Sequence, residues 1–159
     1  MDAPTSVYPF IMHVVRATMD NILDEDLAIK ILEQVESFLV RRVVCGYEPT
    51  GLHATFKSLW DDCDGNYSVD NVVKMIRRHF TVKWPDNQEF EENIKTRPLY
   101  SVKATPYLLA EWNGHLGGDV PELDSQQIEH VLPETPDKDS QFIRYGSWRC
   151  KRSACLFDR

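Results

Sequence analysis

No stretch of this chain approaches the ~18 uninterrupted apolar residues that a bilayer-spanning helix requires, so no membrane crossing is expected. The start, MDAPTSVYPF, has neither a basic region nor a small-residue cleavage site, which argues against a signal peptide. Cysteine is sparse. The four residues Cys45, Cys63, Cys150 and Cys155 are too scattered for a dense disulfide framework, so reduced thiols and a cytoplasmic setting are expected. Positive charge is also short. The net charge of −7 gives no general attraction to nucleic-acid phosphates. No internal repeat or low-complexity segment is present. Asparagine is absent after Asn113 and histidine after His130, a gap that bears on the chemistry below.

The charge that exists is unevenly placed. Residues 1–140 carry 13 basic and 24 acidic side chains, whereas 141–159 carry 5 basic and 1 acidic. The basic end, RYGSWRCKRSACLFDR, can touch a phosphate backbone or simply be solvated. With an acidic body and so short a basic end, weak and salt-sensitive affinity for duplex DNA is expected.

Residues 7–112 read as five or six helices. An apolar helix is predicted from Tyr8 to about Thr18, with Pro9 tolerated in its first turn. Asp24 is placed to cap the next, where Leu27, Ile31, Val35, Phe38 and Leu39 recur at helical spacing before Gly46. Cys45, at the end of this run, reads as a small core residue. Arg41 and Arg42 lie where the helix dipole favours cations, and a cap with a salt bridge accounts for them.

Thr50 is placed to cap a third helix with a stripe of Leu52, Phe56 and Leu59. DDCDGN at 61–66 is a polar turn without the ligand spacing of a calcium loop. Ser68 can cap a helix to about Phe80. Pro85 and Thr105-Pro106 read as two further helix starts. The aromatic residues at these spacings are read as core. Gly114, Gly117, Gly118 and Pro121 mark a linker over 114–126. The expected division is a helical domain at 1–113, that linker, and a short segment at 127–159 with one strand at 127–132.

The segment Ile-Glu-His-Val-Leu-Pro at 128–133 carries the sharpest chemical signal. Glu129 offers oxygen to a hard cation such as Mg²⁺ or Mn²⁺. His130, with an ordinary pKa near ~6.5, suits proton abstraction from water. Neighbouring strand residues face opposite ways, so both serve one metal only on a twisted strand. The plain alternative is a surface acid beside a structural histidine. Zinc is weighed for Cys150 and Cys155 with His130 and Cys63, but the spacing is poor for a four-ligand site.

VESFLVRRVVCGYEPTGLHATFKSL, YPFIM, WPDNQEF and YLLAEWN resemble the helical segment of GmrSD-like, modification-dependent (type IV) restriction endonucleases. QIEHVLPET at 127–135 resembles the opening motif of that family's carboxy-terminal nuclease domain. The resemblance implies a mainly α fold: a helical domain followed by an incomplete ββα-metal (HNH-like) nuclease fragment. It implies that His130 activates water as the catalytic base and that Glu129 helps hold the metal. The substrate would be DNA, including modified DNA. The family's amino-terminal nucleotide-dependent module and its DGQQR-type motif are missing, so no nucleotide is expected. The family's downstream Gly-Asn-Leu-type segment is not recognisable, and Asp137, Asp139 and Asp158 are the aspartate oxygen donors after Pro133. An unoriented base and an incomplete metal site cost orders of magnitude in rate. The expectation is therefore an endonuclease fragment inactive as this chain. The alternative is a non-catalytic helical scaffold or protein-interaction module.

Overall fold

The computed structural model describes residues 4–118. They form six α helices and two short 3-10 turns, and no strand occurs among the described residues. The expectation of a helical domain followed by a ββα-metal fragment is corrected: the described residues are helical throughout, with no ββα element among them. The expected strand at 127–132 falls outside the described residues.

Two compact units divide the chain, one from Asp2 to Phe90 and one holding Glu91 onward. In the first unit, a 3-10 turn (Thr5–Val7) leads into α1 (Tyr8–Met19), α2 (Glu25–Val44), α3 (Leu52–Asp62) and α4 (Val69–Arg78). Helix α5 (Asn87–Thr96) crosses the boundary. None of the described helices is long and apolar enough to cross a membrane.

Local chemistry sets the helix starts. The Asp24 carboxylate accepts from the Asp26 and Leu27 amides at 3.1 and 3.4 Å, filling two donors that the helix cannot satisfy itself. Ser68 does the same for the Asn71 amide at the head of α4. Three starts differ from the sequence expectation. Helix α3 is capped by Gly51 rather than Thr50. Pro85 lies before α5, and Asp86 accepts from the Glu89 amide at 2.8 Å. Thr105 is already helical in α6 (Thr105–His115), and its hydroxyl donates to the Leu99 carbonyl instead of capping.

The first unit is built around three buried rings. Phe10, Phe38 and Phe56 come from α1, α2 and α3, with Phe56 6.2 Å from each of the others. Val14, Ile31, Leu59, Val72 and Ile76 close the space around them. Buried Cys63, not half-buried Cys45, is the cysteine that serves the core. Burial and the nearby Asp62 push the Cys63 thiol up to about 11, which suppresses thiolate reactivity. In the second unit, Leu99, Ala104 and Ala110 are buried as α6 packs on the 3-10 turn Leu99–Ser101.

The loop after α4 returns over the start of α3 at Gly51. This residue has φ of +87°, and a Cβ there would lie 2.9 Å from both Thr81 Oγ1 and Val82 Cγ2. Gly51→Ala is expected to lower stability by about 2 kcal/mol, from left-handed strain and from displacing that loop. A urea melt checks this, and an unchanged midpoint would mean that the loop shifts freely.

Arg41 and Arg42 fasten the same region, and neither forms the expected salt bridge among the described residues. Arg42 is buried, and its Nη1 and Nη2 donate to the carbonyls of Lys83 and Glu48 at 2.8 and 2.6 Å. Its guanidinium lies over the rings of Phe38 and Tyr47. Burial pulls its pKa below the usual arginine range, partly offset by Tyr47. Arg41 donates to Asn87 Oδ1 at 2.8 Å and lies over Phe90. Nearby, Tyr47 donates to Glu89 at 2.6 Å, and Lys83 approaches the same carboxylate at 2.9 Å. These two contacts, the Tyr47 hydrogen bond first, hold the Glu89 carboxyl below its ordinary pKa.

Candidate functional site

Glu129 and His130, the residues expected to hold metal and activate water, lie outside the described residues. So do Cys150, Cys155 and the basic segment 141–159. Among the described residues, no group of three or more His, Cys, Asp or Glu side chains is placed to hold a metal ion. A ββα-metal site needs strands and a helix that converge several ligands on one ion, and the described residues supply helices alone. The HNH-like endonuclease assignment, with its hydrolase chemistry, is corrected on these grounds.

What the described residues do present is an apolar face on α1. Successive helical residues advance by about 100°. Tyr8, Met12, Val15 and Met19 therefore share an arc of about 60° along the helix. All four are exposed, Met12 by 67% and Met19 by 72%. Phe10, Val14 and Ala17, which are buried, project from the opposite side. Helix α1 is thus apolar on two faces, and only one meets the core.

The borders of the outer face differ. His13, Arg16 and Asp20 line one side, where Arg16 and Asp20 pair at 2.6 Å. That pair is widely exposed and contributes little stability. The other border is half-buried Ile11, which packs against the core, and Thr18, whose hydroxyl donates to the Val14 carbonyl. Beyond the helix end, Ile22 is a further exposed apolar side chain, by 67%. The chain turns there through Asn21, held at φ of 55°.

Single exposed apolar side chains are ordinary on protein surfaces. Four on one helical arc form a patch, and patches mark contact sites. The face carries two methionines, whose flexible thioethers adapt to varied partner shapes. The 4-3-4 spacing of Tyr8, Met12, Val15 and Met19 was available in the sequence. Reading α1 as an ordinary core helix hid it, because such a helix has one apolar face and this one has two.

No protein-family model matches the chain, and no curated protein or solved structure matches it either. The resemblance to modification-dependent restriction endonucleases is therefore unsupported by any of the three comparisons. It rested on short strings, chiefly the Arg41-Arg42 block and the Glu-His-x-x-Pro motif.

Proposed function

We propose that this chain is a non-catalytic helical module that binds a protein partner through the outer face of α1. The observation that carries this reading is the exposed line Tyr8, Met12, Val15 and Met19. The partner surface that suits it is an amphipathic helix with apolar side chains at matching 3- and 4-residue spacing. Such a helix would cover the stripe, and its polar flank would meet His13, Arg16 and Asp20. The buried aromatic core keeps the presenting helix rigid, which lowers the ordering cost of docking.

The test uses the full chain with a photo-crosslinking residue at Val15, expressed in its native cells, and a control crosslinker at exposed Glu33 of α2. A discrete protein adduct is expected from the Val15 position and not from Glu33. Met12→Asp with Met19→Asp should reduce that adduct at least about tenfold, since each change opposes burial of a large side chain. These positions leave the core face untouched, so helical circular dichroism should be preserved. No adduct at Val15, or equal adducts at both positions, would refute the proposal. An adduct of the chain with itself would identify the partner as a second copy.

A further inference from the structure

We propose that the basic ridge of α4 and the loop that follows it binds single-stranded nucleic acid, with Phe80 stacking on a base and Lys74, Arg77 and Arg78 meeting phosphates. Its surface is distinct from the apolar face of α1. Helix α4 packs on α2 and α3, while its outer side carries Asp70, Lys74, Arg77 and Arg78 along a shallow depression. A second depression begins at Arg77 and runs past His79, Phe80, Lys83, Trp84 and Asp86. Arg77 joins the two.

Two features set this surface apart from a solvated helix end. Lys74, Arg77 and Arg78 form no ion pair among the described residues. The last turn of a helix favours cations, and this accounts for the two arginines. It does not account for Phe80, which is fully exposed immediately beyond them. An aromatic ring held in water beside guanidinium groups matches the combination that single strands use: a flat base for the ring and phosphates for the cations. The Arg77 guanidinium lies 5.2 Å from the centre of the Trp84 ring, a cation–π contact that holds it at the junction of the two depressions.

The local acids choose between polyanions. Asp70 and Asp86 line the same two depressions, and Asp62 lies 3.6 Å from His79. A flat anionic bilayer would press against these carboxylates together with the cations. A single strand can run along the ridge and meet only the cations. An acidic peptide would satisfy the charges but offers no base to stack on Phe80.

The experiment measures binding of the full chain to fluorescein-labelled dT12 and U12 by anisotropy across a salt series. The three ridge contacts contribute about −2 to the slope of log K against log salt, so raising salt from ~50 to ~200 mM should weaken binding at least roughly twentyfold. Phe80→Ala should lose about tenfold in affinity with the slope unchanged. Arg78→Ala should make the slope shallower by about 0.7. Both residues are exposed, so folding is retained in each variant. Met12→Asp should bind as the parent does, which separates this surface from the α1 face. No measurable binding at ~50 mM salt, or full affinity in Phe80→Ala, would overturn the proposal. So would tighter binding to poly-glutamate or to phosphatidylserine vesicles than to dT12.

Discussion

Arg42→Ala should lower the stability of the first unit by about 3 kcal/mol, although Arg42 touches no carboxylate among the described residues. Its two terminal nitrogens satisfy the carbonyls of Lys83 and Glu48 from inside the protein. Hydrogen bonds from a charged donor contribute about 1.5–3 kcal/mol each. Two effects work against this sum. The guanidinium is desolvated, and its Nε has no hydrogen-bond partner among the described residues. Removing it relieves that penalty, so the net effect is smaller than the hydrogen bonds alone suggest. Arg42→Met separates the contributions. The methionine keeps part of the stem packing over Phe38 but supplies no donors. It should recover about 1 kcal/mol of the loss. Arg42→Lys should also recover only part, since one ammonium cannot reproduce a planar fork reaching two carbonyls. Urea denaturation of the three variants checks the order. If Arg42→Met matched the parent, the two hydrogen bonds would contribute nothing net over the charge they keep buried.

The helices were legible in the sequence where apolar spacing and a cap residue agreed. Asp24 and Ser68 are examples, each followed by a regular buried stripe. The starts expected at Thr50, Pro85 and Thr105 differ in detail, because other groups took the capping positions. Gly51 is required at the α3 start because Thr81 and Val82 pass too close for a side chain. The Thr105 hydroxyl is taken by the Leu99 carbonyl. Arg41 and Arg42 differ too. Their place at the end of α2 suggested a dipole contact with a salt bridge, yet their donors go to loop groups 41 to 46 residues away or to nearby oxygen atoms.

The site was less legible than the fold. Glu129 and His130 are chemically versatile residues, and adjacency in sequence made them stand out. Chemistry needs convergence of several groups in space, which a local string does not specify. The α1 face is the opposite case. Its residues are unreactive, and their spacing alone reads as core. Their meaning depends on burial: Phe10, Val14 and Ala17 already fill the inward side of the helix, so Met12 and Met19 have no inward place to go. The helix capped by Ser68 was expected to run to about Phe80. Helix α4 ends at Arg78 instead, and the ring stands in solvent.

Phe38→Ala should be the most damaging single change in the first unit, costing about 4 kcal/mol. Phe38 is completely buried on α2 and meets groups from separate parts of the chain. Its ring is 6.2 Å from Phe56 on α3 and 4.8 Å from Trp84 in the loop before α5. It also lies under the Arg42 guanidinium. Truncation therefore opens a cavity whose walls belong to two helices and a fastened loop. Those walls cannot close together, so the cavity penalty adds to the lost burial. Phe38→Leu keeps most of the volume and should cost about 1.5 kcal/mol. At roughly 5 °C per kcal/mol, Phe38→Ala should lower the melting temperature by about 20 °C. Because Phe38 and Arg42 are in contact, the Phe38→Leu and Arg42→Met effects should not add, with a coupling of at least about 0.5 kcal/mol. A double-mutant cycle measured by urea melts tests that. Strict additivity would show that the guanidinium gains nothing from the ring beneath it, and that Phe38 acts through apolar packing alone.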